Sequence, residues 1–148
     1  MGRIIAVCTS EQKGTSKHCI NDGLFEENFG MAGDAHAGSD THRQVSLLSQ
    51  SSIDKMKKPG LDLKPGDFAE NLTVEGMELH TLPVGTFLEA GREVVLQISQ
   101  IGKDCHSGCA IFQKVGKCIM PKEGIFARVI RGGHIRQGDE LSISTGEK

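Results

Sequence analysis

The chain has 148 residues, which is the length of one domain with a substantial core, and we expect a single domain over residues 1–148. Its formal net charge of −2 argues against a broad nucleic-acid surface, which is normally strongly basic. The chain has five cysteines, no signal-peptide pattern and no apolar run long enough to cross a bilayer. These features predict a cytoplasmic protein with reduced thiols that binds neither nucleic acid nor membrane.

The first predicted element is a strand over residues 3–8, which is short, apolar and rich in β-branched side chains. Cys8 ends this run, and we interpret it as a buried core residue. A basic, hydroxyl-rich loop follows and contains Lys13 and Lys17. Its backbone N–H groups and lysines could hold a phosphate, although the spacing of a P-loop is missing. A solvated loop is the alternative interpretation.

Residues 18–33 give no regular pattern, and we expect irregular structure there. The sequence Gly-Asp-Ala-His-Ala-Gly at residues 33–38 predicts a turn carrying Asp34 and His36. A carboxylate and an imidazole in one turn can orient a ligand or transfer protons, and a plain surface turn is the alternative. A strand is predicted near residues 44–48, with Arg43 at its entrance, and a short helix capped by a serine follows it.

Residues 66–76 form a strand-like stretch in which Asp67, Glu70 and Asn71 lie close to apolar Phe68 and Leu72. Two carboxylates and an amide in this position could bind the polar edge of a ring, and an exposed strand face with a turn at residues 66–67 is the alternative. A hairpin is predicted from residues 86–89 and 93–99, which flank Ala-Gly-Arg. In its second strand Val94, Leu96 and Ile98 should share one face. Two further strands, at 125–130 and towards 140–143, complete the predicted elements.

The stretch from residue 102 to residue 120 contains three of the five cysteines, Cys105, Cys109 and Cys118, together with His106. Nearby lysines lower the pKa of a thiol and so favour the reactive thiolate. We expect a short helix beginning near Ser107, whose N-terminal partial charge would favour a thiolate at Cys105. Two alternatives stay open: a structural zinc site made from these cysteines and His106, and simple packing of the cysteines in the core.

Several of these stretches together resemble the MOSC domain, a family named for the C-terminal region of molybdenum cofactor sulfurases. The resemblance is carried by residues 33–38 followed by 43–48, by 66–76, by Gln-Ile-Gly-Lys-Asp-Cys at 100–105, by 124–129, and by Gly138-Asp139. It implies a mostly β fold, a distorted mixed β-barrel with a few short helices. The chain carries no pyridoxal-phosphate desulfurase portion, so it resembles the small stand-alone members.

The resemblance also implies a molybdenum cofactor (molybdopterin), bound by a carrier protein or by a small reductase that uses a reactive cysteine. Basic side chains suit the phosphate of a pterin cofactor, polar side chains suit its ring edge, and a thiolate suits a soft metal. The candidate cofactor-binding residues are Lys13, Lys17, Asp34, His36, Arg43, Glu70, Asn71 and Thr73. Cys105 is the candidate catalytic residue and metal ligand, with Cys109, Cys118 and His106 as auxiliary ligands.

Two other functions remain open at this stage. One is a sulfur carrier that holds a persulfide on Cys105 without metal, and the other is a zinc-stabilised module without catalysis. The expected partners are a small pterin cofactor and a protein of cofactor biosynthesis or a molybdoenzyme.

Overall fold

The computed structural model describes residues 2–10, 17–35, 37–54, 70–102 and 123–143, and strands dominate these residues. The strands are β1 (Gly2–Thr9), β2 (His18–Ile20), β3 (Asp22–Glu26), β4 (Gly30–Met31), β5 (Val45–Ser49), β6 (Leu72–Glu75), β7 (Phe87–Ala90), β8 (Val94–Ile101), β9 (Ile125–Arg131), β10 (Gly133–Arg136) and β11 (Glu140–Ile143).

Seven of these strands close into a mixed β-barrel. Their order is β11-β7-β8-β9-β5-β6-β1, and β1 returns to β11 through the pairs Gly2↔Leu141 and Arg3↔Glu140. Strands β5 and β6 run parallel, and the other neighbours in the barrel run antiparallel. The predicted mostly β fold with a mixed barrel is therefore confirmed. Closure removes the open sheet edges that would otherwise expose unpaired backbone groups.

The barrel interior follows the alternation expected of strands with one face in the core. Val94, Leu96 and Ile98 are at most 1% exposed and all belong to one apolar cluster, as predicted for this hairpin strand. On the neighbouring strands the cluster includes Val45 and Leu47 of β5. Ser46, which lies between them, is also fully buried although it is outside this cluster. The opposite face of β5 therefore also lies away from solvent.

The expectation of irregular structure over residues 18–33 is wrong. This stretch contains β2, which pairs with β1, and β3 and β4, which form a second sheet with β10. The pattern of β3 conceals it, because its buried positions are Gly23 and Phe25 while Leu24 between them is 43% exposed. A glycine on the buried face removes the apolar alternation by which a strand is recognised in a sequence.

Two short helical segments lie among the strands of the described residues between 37 and 102. The helix α1 (Gln50–Asp54) begins where a serine cap was predicted, and a 3-10 helix spans Leu79–Thr81. The Ser49 hydroxyl, at the end of β5, holds the start of the 3-10 helix, because it accepts from the Leu79 N–H at 3.0 Å and donates to the Met77 carbonyl at 2.8 Å. The helix predicted near Ser107 lies outside the described residues. Neither segment has the length or apolar character needed to span a membrane.

Candidate functional site

The end of β1 is held to the turn around residue 34 by one buried carboxylate. Asp34 Oδ1 accepts hydrogen bonds from Thr9 Oγ1 at 3.1 Å and from the Ser10 N–H at 3.1 Å. Lys17 Nζ lies 2.8 Å from the same oxygen, and the side chains of both charged residues are 0% exposed. Burying an ion pair requires close pairing and further hydrogen bonds, and this carboxylate has both. The predicted turn at Asp34 is therefore fixed to β1.

All of the described side-chain contacts of Lys17 are with residues of this buried cluster. Its ammonium group donates to Asp34 and, at 3.1 Å, to Ser10 Oγ. The two candidate residues Lys17 and Asp34 therefore lie together, although they are separated by 17 positions in the sequence. This arrangement gives them a clear positioning role, because they set the path of the chain beside the end of β1.

Asn71 connects three strands of the barrel at the same end. Its Oδ1 accepts from the Ser46 N–H at 2.9 Å and from Ser46 Oγ at 3.2 Å, on β5. Its Nδ2 donates to the Cys8 carbonyl at 3.1 Å, on β1. Asn71 itself directly precedes β6 and is fully buried. A buried amide must have its hydrogen bonds satisfied, and this one satisfies them by joining β1, β5 and β6.

Glu70 and Thr73 place a buried carboxylate beside this junction. Thr73 Oγ1 donates to Glu70 Oε2 at 2.8 Å, and both residues are 0% exposed. The sequence predicts a ligand-binding role for the stretch around residue 70 from its polar groups close to apolar neighbours. The structure places these groups next to β1 and β5, and Lys17 and Asp34 lie at the same end of β1.

The Cys8 thiol lies within this polar surrounding and is strongly disposed to stay protonated. Burial is the main cause that raises the pKa of Cys8, and the contact with the Cys19 thiol and the negative charge of Glu70 act in the same direction. The charge of Lys17 opposes the rise in pKa. Cys8 is 0% exposed, so its predicted burial is confirmed.

The raised pKa of Cys8 predicts a stability that falls in alkaline solution. Above about pH 8.5 the unfolded chain loses the Cys8 proton while the folded chain keeps it, so the unfolded state is favoured by about 1.4 kcal/mol per pH unit. Urea unfolding under reducing conditions between pH 8 and pH 10.5 measures the slope. Cys8→Ala should remove this contribution, and Cys19→Ala should retain most of it. Parallel pH profiles for wild type and Cys8→Ala would contradict the assignment.

Arg43 lies on the approach to β5, beside the end of β8. Its Nε donates to Gln100 Oε1 at 3.0 Å, and its guanidinium carbon lies 5.5 Å from the centroid of the Phe126 ring. A guanidinium at this distance from an aromatic face makes a cation–π contact. Gln100 Nε2 in turn donates to the Gly102 carbonyl at 2.7 Å. Arg43 is thereby tied to the point where the chain enters the cysteine-rich stretch.

The structure describes only part of the predicted site. Lys17, Asp34, Glu70, Asn71 and Thr73 are gathered at the end of β1 and the start of β6, and Arg43 lies at the start of the adjacent β5. The described residues contain no group of three or more His, Cys, Asp or Glu side chains arranged to hold a metal ion. The other candidates lie outside the described residues: Lys13, His36, Cys105, His106, Cys109 and Cys118.

Sequence reasoning did not identify three residues that the structure places in the site. Ser46 is the strand residue that Asn71 holds, Gln100 is the partner of Arg43, and Cys19 contacts Cys8. Ser46 could have been found, because it is a small polar residue within an apolar strand. Cys19 could not, because its strand was not predicted.

The closed mixed barrel and the polar cluster at one end of β1, β5 and β6 define a class of protein. It is a small β-barrel module whose charged and amide side chains are concentrated where three strands meet. The chain belongs to the MOSC domain family, whose model matches residues 32–142, and this family is associated with molybdenum-cofactor binding and with sulfurases.

Solved structures support the same fold. The YuaD protein of Bacillus subtilis superposes with a TM-score of 0.79 at 20% identity, covering 95% of this chain and 94% of that one. YiiM of Geobacillus stearothermophilus gives a TM-score of 0.73 at 18% identity, covering 97% and 75%. YiiM of Escherichia coli gives 0.66 at 16%, covering 98% and 71%. No curated protein matches the sequence.

Proposed function

We propose that this chain binds the molybdenum cofactor or a related phosphate-bearing pterin, as a carrier or a small reductase, where β1 ends and β5 and β6 begin. The observation that carries the proposal is the position of Arg43 in a MOSC domain. Its cation is half-buried over Phe126 and is connected through Gln100 to the entrance of the stretch that contains Cys105.

The residues present suit the chemical groups of such a ligand. A guanidinium carries five N–H donors, so Arg43 has donors for a phosphate beyond the Nε that contacts Gln100. The Glu70 carboxylate, which accepts from Thr73, is an acceptor of the kind that suits the N–H groups of a pterin ring edge. Lys17, Asp34 and Asn71 would position the surrounding chain, because their polar groups contact one another and the ends of the strands.

Cys105 is the thiol that we assign to the metal or to activated sulfur, with Cys109, Cys118 and His106 as auxiliary groups. When bound, the cofactor would supply a redox-active metal with soft sulfur ligands. Lys13 and His36 complete the set of residues proposed to face the ligand. A partner protein from cofactor biosynthesis, or a molybdoenzyme, fits a carrier role.

Analysis of protein purified from a molybdenum-replete host tests the proposal. Molybdenum together with pterin fluorescence would support it. Cyanide-labile sulfur without metal would instead identify a sulfur carrier that uses a Cys105 persulfide. Stoichiometric zinc, with loss of folding on chelation, would identify a zinc-stabilised module.

Arg43→Ala should weaken binding of a phosphate-bearing pterin by about 1.5–3 kcal/mol, the range of a hydrogen bond to a charged group. This corresponds to a dissociation constant roughly 10- to 150-fold higher, measured by titration. Arg92→Ala is the matched control, because Arg92 is exposed and precedes the opposite end of β8. Equal affinities for the two variants would assign Arg43 a structural role.

Cys105→Ser should abolish loading with metal or sulfur, and Cys109→Ser and Cys118→Ser should reduce it less. Cys105 should also be the first cysteine to react with iodoacetamide, because thiolate content controls the rate of alkylation. Peptide mapping at successive times measures the order of labelling. Cys8 should react far more slowly, since it is buried and its pKa is raised. Normal loading of Cys105→Ser, or faster labelling of Cys109 or Cys118, would refute the assignment.

A further inference from the structure

Cys8 and Cys19 face each other across the first two strands. They are directly paired in the antiparallel register of β1 and β2, and their Sγ atoms are 3.0 Å apart. A disulfide bond is about 2.04 Å long, so the two sulfurs need to approach by only about 1 Å. Both residues are reduced thiols in this structure.

The backbone around Cys8 makes this pair suitable for a covalent bond. The Cys8 N–H donates to the Asn71 carbonyl at 2.7 Å, and the Cys8 carbonyl accepts from Asn71 Nδ2 at 3.1 Å. Both polar groups of Cys8 therefore point towards β6 and away from β2. Cys8 and Cys19 form a non-hydrogen-bonded pair, the type in which facing Cα atoms are about 4.5 Å apart and side chains come closest. That separation lies within the range of about 4.4–6.8 Å seen in disulfides.

The two thiols differ in their access to a reagent. Cys19 is exposed and Cys8 is fully buried. An oxidant in solution therefore meets Cys19 first, and Cys8 lies behind it in contact with the same sulfur. This is the arrangement of an attacking thiol with an adjacent resolving thiol.

Going beyond the proposed cofactor function, we propose that Cys8 and Cys19 form a reversible intramolecular disulfide by exchange with a small-molecule disulfide such as oxidised glutathione. The Cys19 thiolate attacks one glutathione sulfur, and the first glutathione leaves as a thiolate that takes up a proton. Cys8 then loses its proton and attacks the Cys19 sulfur, which releases the second glutathione as a thiol. Two protein thiols are oxidised to one disulfide, and one glutathione disulfide is reduced to two thiols.

The bond would fix the short strand β2 to the barrel strand β1 next to the polar cluster. In the described sheet β2 pairs with β1 alone, and it spans three residues. Lys17 directly precedes β2 and contacts Asp34, and Ser10 follows the strand that carries Cys8. Oxidation would thus tie together the two chain segments that hold the Lys17–Asp34 pair, and reduction would release them.

Equilibration of the full chain with mixtures of reduced and oxidised glutathione tests the proposal. After acid quenching, alkylation and tryptic digestion without reductant, peptide 4–13 should be joined to peptide 18–43 with the loss of two hydrogens. The exchange equilibrium constant should be at least about tenfold larger in native buffer than in urea, because the unfolded chain must close a loop to bring the thiols together. An equal or smaller constant in native buffer would overturn the proposal.

Variants in which either Cys8 or Cys19 is replaced test the order of the two exchange steps. In Cys8→Ala the mixed disulfide on Cys19 should persist, because no resolving thiol is adjacent, whereas it should not accumulate in wild type at equilibrium. In Cys19→Ala glutathione should not add to Cys8 in the folded chain. A stable mixed disulfide on Cys19 of folded wild-type protein would show that Cys8 does not resolve it. Circular dichroism establishes whether each variant is folded. If a variant is unfolded, the glutathione equilibration of the wild-type chain decides the proposal.

Discussion

Asp34→Ala should lower the free energy of unfolding by about 3–5 kcal/mol, the cost of removing one partner from a buried ion pair. The substitution leaves the Lys17 ammonium in a fully buried position without its carboxylate. It also removes the acceptor of the Thr9 hydroxyl and of the Ser10 N–H. Urea unfolding monitored by circular dichroism at neutral pH measures the change.

An exposed ion pair in the same chain provides the control for Asp34. Asp22 lies 3.0 Å from His134 Nδ1 and 3.7 Å from Arg136 Nε, and these side chains are 40–70% exposed. Asp22→Ala should therefore cost less than about 1 kcal/mol, as surface ion pairs do. The double change of Lys17→Met with Asp34→Leu should cost less than Asp34→Ala, because no charge is left buried. Similar losses for Asp34→Ala and Asp22→Ala would mean that Lys17 is solvated.

Asn71→Ala should destabilise the chain by about 3 kcal/mol or more, since each buried polar group left without a partner costs about 1–3 kcal/mol. The change removes the acceptor of the Ser46 N–H and the side-chain donor to the Cys8 carbonyl. Both groups belong to barrel residues, Cys8 and Ser46, that are 0% exposed, so water does not replace the lost partner. Thermal or urea unfolding measures the loss.

Asn21→Ala is the matched control for Asn71, because the same atoms are removed from an exposed position. It should change the free energy of unfolding by no more than about 0.5 kcal/mol. If Asn71→Ala were equally mild, another group would have to satisfy the Ser46 N–H, and the junction of β1, β5 and β6 would not depend on this amide.

The strands with regular alternation were predictable because one face of each packs in the barrel. In β8 the buried Val94, Leu96 and Ile98 recur at every second position, and Gly91 marks the turn before them. The strand β3 was not predictable, because Gly23 occupies a buried position and Leu24 an exposed one. The positions of its apolar residues therefore do not indicate which face of the strand is buried.

The sequence by itself determined the mostly β class, the MOSC resemblance and the residue types of the site, since these depend on local patterns and short motifs. Only the tertiary structure decided which of those residues meet. The sequence predicts Lys17 and Asp34 separately as ligand-binding residues, yet they neutralise each other across a buried contact. Asn71 is hydrogen-bonded to Cys8 and Ser46, and the Cys8 thiol contacts the thiol of Cys19 on β2, a strand that the sequence pattern did not predict. These contacts join residues distant in sequence, and barrel closure and strand register, which no local pattern encodes, bring them together.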